Sequence, residues 1–350
     1  MRTCLTRATT AITVAVTAVV VLASPAFACG GLVGENGTIQ LQRTTTLAAY
    51  HDGVEHYVTS FEFSGEGEQV GSIVPLPGIP SSVERGGDWT LQRLEREVNP
   101  VPDTTARFAE GSVAAASSAQ VILQTKIDAL EITVLKGGGA EVGKWATDHG
   151  FLLTPDAPEV LDYYSQRSPI FMAARFDAAA ARDRGQNAGD GTPIHLTIPL
   201  DRPWVPLRIL ALGRDPQSTV QADVFILTDQ RPELLTGDSG IDLARSGPAS
   251  SQLLNDLRAD KGMEWVPNAE WLTYLKIDTP AGRLTHDLAA SVDPFTPPSR
   301  VDAGIAARDV LNRLTIAGPR HWLVPTGIAV AALAIAGAQL GFARRRRYVA

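Results

Sequence analysis

The chain has 350 residues, with 31 basic and 38 acidic side chains and only two cysteines. Six of the arginines (Arg2, Arg7 and Arg344 to Arg347) lie in two terminal segments that hold no acid. Residues 29 to 320 therefore carry all 38 acids against 25 bases (31 less those six), a net charge of about −13. That balance argues against nucleic acid as a partner and against polybasic docking on anionic lipid. Cys29 is the sole cysteine of this stretch, which leaves no internal disulfide and no cysteine-based zinc site.

The first residues combine Arg2 and Arg7 with an uncharged run from Ala8 to Ala23 and a small-x-small site, Ala26-Phe27-Ala28. These are the parts of a secretory signal peptide over residues 1–28, cut so that Cys29 becomes the first mature residue. An N-terminal Cys29 is a candidate for lipidation or for an intermolecular disulfide, although Ala26 and Phe27 are not the residues that lipoprotein processing favours.

Residues 29–296 are expected to form an extracytoplasmic α+β domain, mostly antiparallel strands with several short helices, with room for two subdomains. Thr44 to Tyr50 and Val54 to Phe63 are rich in Thr, Tyr, Val and Phe and flank Asp52-Gly53, which predicts a hairpin with a type I′ turn. Gly71 to Val74 follows as a short buried strand. Asp88 is placed to cap a helix from Trp89 to Val98. Residues 109–120 read as an exposed loop, and Ile127 to Leu135 as one strand. Gly137-Gly138-Gly139 opens a helix that runs to His149 and stops at Gly150. A helix over Pro155 to Arg167, a strand over Pro169 to Phe176 and a polar connection over 178–191 come next. Strands are expected near 192–199, 204–212 and 219–228, then a helix near 249–260 and a strand from Trp271 to Ile277. Runs of adjacent strands with a few helices between them give the α+β class.

Residues 297–321 read as a juxtamembrane segment. Trp322 to Ala343 is a charge-free stretch of 22 residues, followed at once by four arginines. As a helix it would reach about 33 Å, enough for a hydrocarbon core of about 30 Å. The arginines would put the tail, 344–350, in the cytoplasm. Location at the cell membrane as a single-pass protein, with its N-terminal domain outside the cytoplasm, is the resulting expectation. Gly337 and Gly341 form a small-xxx-small pair that would let two such helices pack closely. Leu323-Val324-Pro325-Thr326-Gly327 resembles a sortase sorting signal, but departs from it at Val324.

Few motifs carry chemistry. Gly138-x-x-x-x-Gly143-Lys144 has the spacing of a phosphate-binding loop, yet Trp145 stands where a magnesium-holding hydroxyl is needed, so the glycines read as a turn and Trp145 as a packing residue. Gly237-Asp238-Ser239-Gly240 reads as a surface turn. The densest ionisable cluster is His51 to His56. With Asp52-Gly53 as the turn, His51 pairs with Val54 and His56 with Ala49, which puts both imidazoles on one face and Glu55 on the other. His51 and His56 are thus candidate metal ligands, two short of a tetrahedral set.

Several stretches in order resemble a bacterial family known as domain of unknown function twenty-three thirty. They are Ala28-Cys29-Gly30-Gly31-Leu32-Val33, Asp52 to Val58, Ile73-Val74-Pro75-Leu76-Pro77, Leu135 through Trp145, His149-Gly150-Phe151, Tyr163-Tyr164, and Asp201-Arg202-Pro203 before Val205 to Arg208. The resemblance implies an exported, often membrane-anchored bacterial protein and brings no reaction with it. The expectation is a membrane-anchored binding or interaction module of the cell envelope, without a cofactor. Its partner would be an envelope protein, a peptide or a wall component. The alternative is an extracytoplasmic hydrolase or metal-dependent enzyme using His51 and His56.

Overall fold

The computed structural model describes residues 31–34, 40–64, 69–99, 119–183, 192–235 and 240–305. The expected signal peptide, Cys29, the 109–118 part of the expected loop, residues 184–191, the expected turn at Gly237 to Ser239, residues 306–321, the expected 322–343 span with Gly337 and Gly341, and the four arginines behind it lie outside them. No helix among the described residues is long and apolar enough to cross a membrane.

In chain order, β1 (Gly31–Gly34), β2 (Gln40–His51), β3 (Val54–Ser64), β4 (Gln69–Leu76) and β5 (Ser82–Arg85) precede α1 (Thr90–Val98). Then come β6 (Gln120–Ile127), β7 (Leu130–Lys136), α2 (Gly139–Asp148), α3 (Ala157–Ser165), β8 (Ile170–Asp177) and α4 (Ala178–Asp183). The remainder is β9 (Ile194–Pro199), β10 (Trp204–Val205), a 3-10 turn (Arg208–Ala211), β11 (Thr219–Thr228), β12 (Glu233–Leu235), β13 (Ile241–Pro248), α5 (Ser251–Ala259), β14 (Trp271–Pro280), a second 3-10 turn (Ala281–Arg283) and β15 (Leu288–Ser291).

These strands build a seven-stranded sheet in the order β13-β14-β11-β2-β3-β9-β5, a five-stranded sheet in the order β1-β4-β8-β7-β6, and a small sheet in the order β10-β15-β12. Every pairing is antiparallel except β11 with β2, which run parallel. The α+β class is as expected.

Period-two side-chain alternation then dictates the layers. On one face of the seven-stranded sheet Ala48, Tyr57, Leu196, Val224 and Leu275 meet Val74, Ile132, Val134 and Met172 from the five-stranded sheet in a common core. Their sequence neighbours point the other way. Ile73, Leu135 and Phe171 bury Val142, Trp145, Leu161 and Tyr164 of α2 and α3. Leu47, Ala49, Phe225, Leu227 and Leu272 bury Leu91, Leu94, Leu253 and Leu257 of α1 and α5. The result is a helix–sheet–sheet–helix sandwich.

Local chemistry explains the turns. Asp52 and Gly53 both have positive φ, 49° and 77°, the type I′ pattern expected of the β2–β3 hairpin. Gly150, at φ 85°, ends α2 as expected. Four expectations need correction. The 127–135 strand is two strands, β6 and β7, folded at Asp128, whose φ is 54°. Of residues 204–212 only Trp204 and Val205 pair, because Pro203 and Pro206 have no N–H to give a ladder. Residues 178–183 of the polar connection form α4.

The fourth concerns the cap of α1. Asp88 does not cap the helix; the carboxylate of Asp260, just past α5, accepts hydrogen bonds from Asp88 N (3.0 Å), Trp89 N (2.9 Å) and Thr90 Oγ1 (2.8 Å). A helix start needs acceptors for its free N–H groups, and here a second helix supplies them. A Cβ at Gly87 would run into that carboxylate. Asp260→Ala is expected to lower stability by about 2 kcal/mol, read as a lower urea midpoint with an unchanged slope.

A buried acid ties α3 to the strands around it. Asp287, fully buried, accepts through Oδ1 from Tyr164 Oη (2.7 Å), Leu207 N (2.9 Å) and Arg208 N (3.0 Å), and through Oδ2 from Arg167 Nη1 (2.5 Å). Its own N–H donates to Ala303 O at 3.0 Å, and Tyr163 Oη donates to the same carbonyl at 3.1 Å. Residues 302–303 are thereby strapped onto α3.

Candidate functional site

The parallel pairing of β11 with β2 creates the one cluster of metal-ligating side chains among the described residues. Tyr50 pairs with Thr228, and Thr228 with Trp271. One residue beyond that row stand His51, at the end of β2, Asp229, just past β11, and Glu270, just before β14. Each is two residues from an inward-pointing side chain of the α1/α5 layer, namely Ala49, Leu227 and Leu272. All three therefore emerge on one face at neighbouring strand ends. Their ligand atoms lie within 4.8 Å of one another.

His51 Nδ1 hydrogen-bonds Asp229 Oδ1 and stands 3.8 Å from Glu270 Oε1, while its Nε2 is 3.2 Å from Asp52 Oδ2. Burial lowers the affinity of the ring for a proton. The hydrogen bond and charge of Asp229, with the charges of Asp52 and Glu270, reverse this and hold the His51 pKa above its ordinary value. The Glu270 side chain is 2% exposed, against 40% for His51 and 51% for Asp229. Neither of its oxygens has a hydrogen-bond partner. Burial, then the charge of Asp229, pushes its pKa up to about 7, against the pull of His51.

The expected pairings of the hairpin are present: His51 opposes Val54 and His56 opposes Ala49. The two imidazoles share a face but enter different clusters. His56 Nδ1 shares a hydrogen bond of 2.9 Å with Nε2 of His195 on β9, and the Trp265 ring lies flat on His56 at 3.9 Å and 8°. Burial, then the charge of His51, lowers the His56 pKa to about 4. Burial, then the charge of His56, does the same to His195. A nearly buried, neutral and aromatic-covered pair is a packing unit.

Glu55 lies on the opposite face, as expected. Fully buried, it accepts from Trp204 N at 3.2 Å, and burial outweighs that bond to raise its pKa well above the ordinary value. It joins β3 to β10. In the glycine segment Trp145 is buried against the five-stranded sheet, and Lys144 pairs with Asp148 at 2.6 Å, so these residues build α2. Asp229 and Glu270 escape sequence reasoning because they are far from His51 along the chain; acids placed immediately at strand ends are the signal that points to them.

A separate cleft of about 580 Å³ opens between the end of α1 and strands β11, β13 and β14. Its polar lining includes Glu97, Asn99, Gln221, Asp223, Arg245 and Lys276. Arg245 donates to Glu97 O (3.1 Å) and Oε1 (3.3 Å), and Tyr274 Oη donates to Asp223 Oδ1 (2.5 Å). Tyr274 of β14 also lines it, beside the edge strand β13 with its bulge between Leu243 and Arg245.

Comparison with known proteins adds a family. A family described as "Uncharacterized protein conserved in bacteria (DUF2330)" matches residues 23–288. The chain belongs to this family. The match spans His51, Asp229 and Glu270 as well as the cleft, and agrees with the resemblance carried by the motifs above. No curated protein matches the chain. Among solved structures, the crystal structure of baculovirus P35 is similar at 10% identity over 73% of this chain and 98% of that chain, with a TM-score of 0.39. A likeness that small carries no argument about activity.

Proposed function

We propose that this DUF2330 protein is a membrane-anchored, extracytoplasmic binding module of the bacterial cell envelope, which takes an envelope protein, peptide or wall component in the cleft beside β13. The anchoring rests on the sequence: a signal-peptide pattern, a charge-free span over 322–343 and the arginines behind it. The observation that carries the binding reading is the cleft itself. Its size suits a few residues of a partner. Its lining offers carboxylates, amides, Arg245 and Lys276 beside Tyr274, a set suited to recognition. The hydrolase reading requires His51 and His56 to act on one substrate, and it draws no support from their division between two clusters.

The test is a photo-crosslinking side chain placed at Gln221 in the full chain, expressed in its native envelope, with Asp215 as the control position. A specific adduct from Gln221, absent from Asp215 and lost in Lys276→Glu, is the expected result. Loss of the domain to protease added outside intact cells is expected alongside it. Equal labelling from both positions overturns the cleft assignment, and a protease-resistant cytosolic chain overturns the location.

A further inference from the structure

The structure assigns a second, separate function to the shared end of β2, β11 and β14: we propose that His51, Asp229 and Glu270 bind one divalent transition-metal cation of the zinc class. This holds whether or not the cleft takes a partner.

Three observations support the assignment. The first is geometric. One imidazole nitrogen and two carboxylates, all within 4.8 Å of one another, need only a small closure to surround a cation at the usual Zn–N and Zn–O distances of about 2.0–2.2 Å. They stand on neighbouring strands whose register fixes their spacing, so little ordering is needed on binding.

The second is Glu270. A carboxylate that is 2% exposed, with no hydrogen bond to either oxygen, is costly to ionise unless a cation faces it. The only positive group within ion-pair distance of it among the described residues is His51, at 3.8 Å, whose Nδ1 is already engaged by Asp229. A cation between the three would meet the orphaned oxygens of Glu270 and replace the direct contact between His51 and Asp229.

The third is the far side of the imidazole. Asp52 Oδ2 lies 3.2 Å from His51 Nε2, the position of a second carboxylate that fixes the tautomer and orientation of a metal-bound histidine through its other nitrogen. The type I′ turn that holds Asp52 at positive φ puts it there. Because His51 and Asp229 are partly exposed, solvent can reach the outer side of the site, which leaves room for water to complete a four-coordinate shell. A nitrogen ligand beside two oxygens favours zinc over magnesium and calcium, which take oxygen sets.

The experiment uses the purified full chain in detergent, stripped with a chelator and titrated calorimetrically with zinc, magnesium and calcium chlorides. One equivalent of zinc is expected to bind, and neither magnesium nor calcium at equal concentration. Glu270→Gln, which preserves shape, is expected to weaken zinc at least 100-fold, and Asp52→Asn about 10–100-fold. His56→Gln, outside the site, is the control and keeps wild-type affinity. A second readout is the visible spectrum of the cobalt-loaded chain, whose d–d bands should report a four- or five-coordinate site and vanish in Glu270→Gln. Unchanged zinc affinity in folded Glu270→Gln, loss of binding only in His56→Gln, or equal binding of calcium overturns the proposal.

Discussion

Replacing Asp287 with alanine is expected to cost about 3–5 kcal/mol, the range for removing one partner of a buried charged pair. That is a large share of the roughly 5–15 kcal/mol that holds a domain together. The magnitude follows from what would be stranded. Four donors converge on this carboxylate: the Tyr164 hydroxyl, the Leu207 and Arg208 amides and the Arg167 guanidinium. Arg167 also donates to the Asp302 carbonyl, so its loss of Asp287 loosens the 302–303 strap as well. Asp287→Asn should cost less, because an amide oxygen can still accept the backbone N–H groups while its NH₂ opposes Arg167. The measurement is the urea midpoint of both variants at pH 7.5. A loss below about 1 kcal/mol for alanine would mean that water takes over the network.

How much of this was legible depends on the distance over which each feature is decided. The β2–β3 hairpin is local: Asp52-Gly53 dictates the turn, and the turn dictates that His51 and His56 share a face while Glu55 does not. The stop of α2 at Gly150 is local too. The segment 127–135 misleads because Ile127, Ala129 and Leu130 continue an apolar run straight through a two-residue turn, and nothing but the backbone of Asp128 interrupts it. The cap of α1 misleads for a different reason. Asp88 has the right chemistry at the right place, but the acceptor that the helix uses comes from 170 residues away, at Asp260. The same non-locality hides the candidate cation site. His51 can be singled out from its neighbours, whereas Asp229 and Glu270 become its partners only once β11 lies parallel to β2. Strand order in a sandwich is set by the mutual fit of whole faces, which no short window of sequence carries.

Acid should weaken the fold through the His56–His195 pair, and the direction can be derived from its burial. In the unfolded chain each imidazole takes up a proton near pH 6.5. In the folded chain both wait until about pH 4, because the rings are covered by Trp265 and a proton on each would set two donors against one another across 2.9 Å. Between those values the unfolded state holds more protons, so the stabilisation is complete above about pH 6.5 and is lost as the pH falls toward 4. For His195, the more buried ring, the loss between pH 7.5 and pH 5 is about 2 kcal/mol. Glu270 acts in the opposite sense over part of this range. Its folded pKa, raised to about 7, favours the folded state as the pH falls, so the raw pH profile mixes the two. The comparison must therefore be between chains. In His195→Gln, with chelator present, urea unfolding at pH 7.5 and pH 5 should show the acid-induced loss reduced by about 2 kcal/mol relative to the unmodified chain. Parallel profiles would mean that water reaches the pair and that the stack with Trp265 does not keep it neutral.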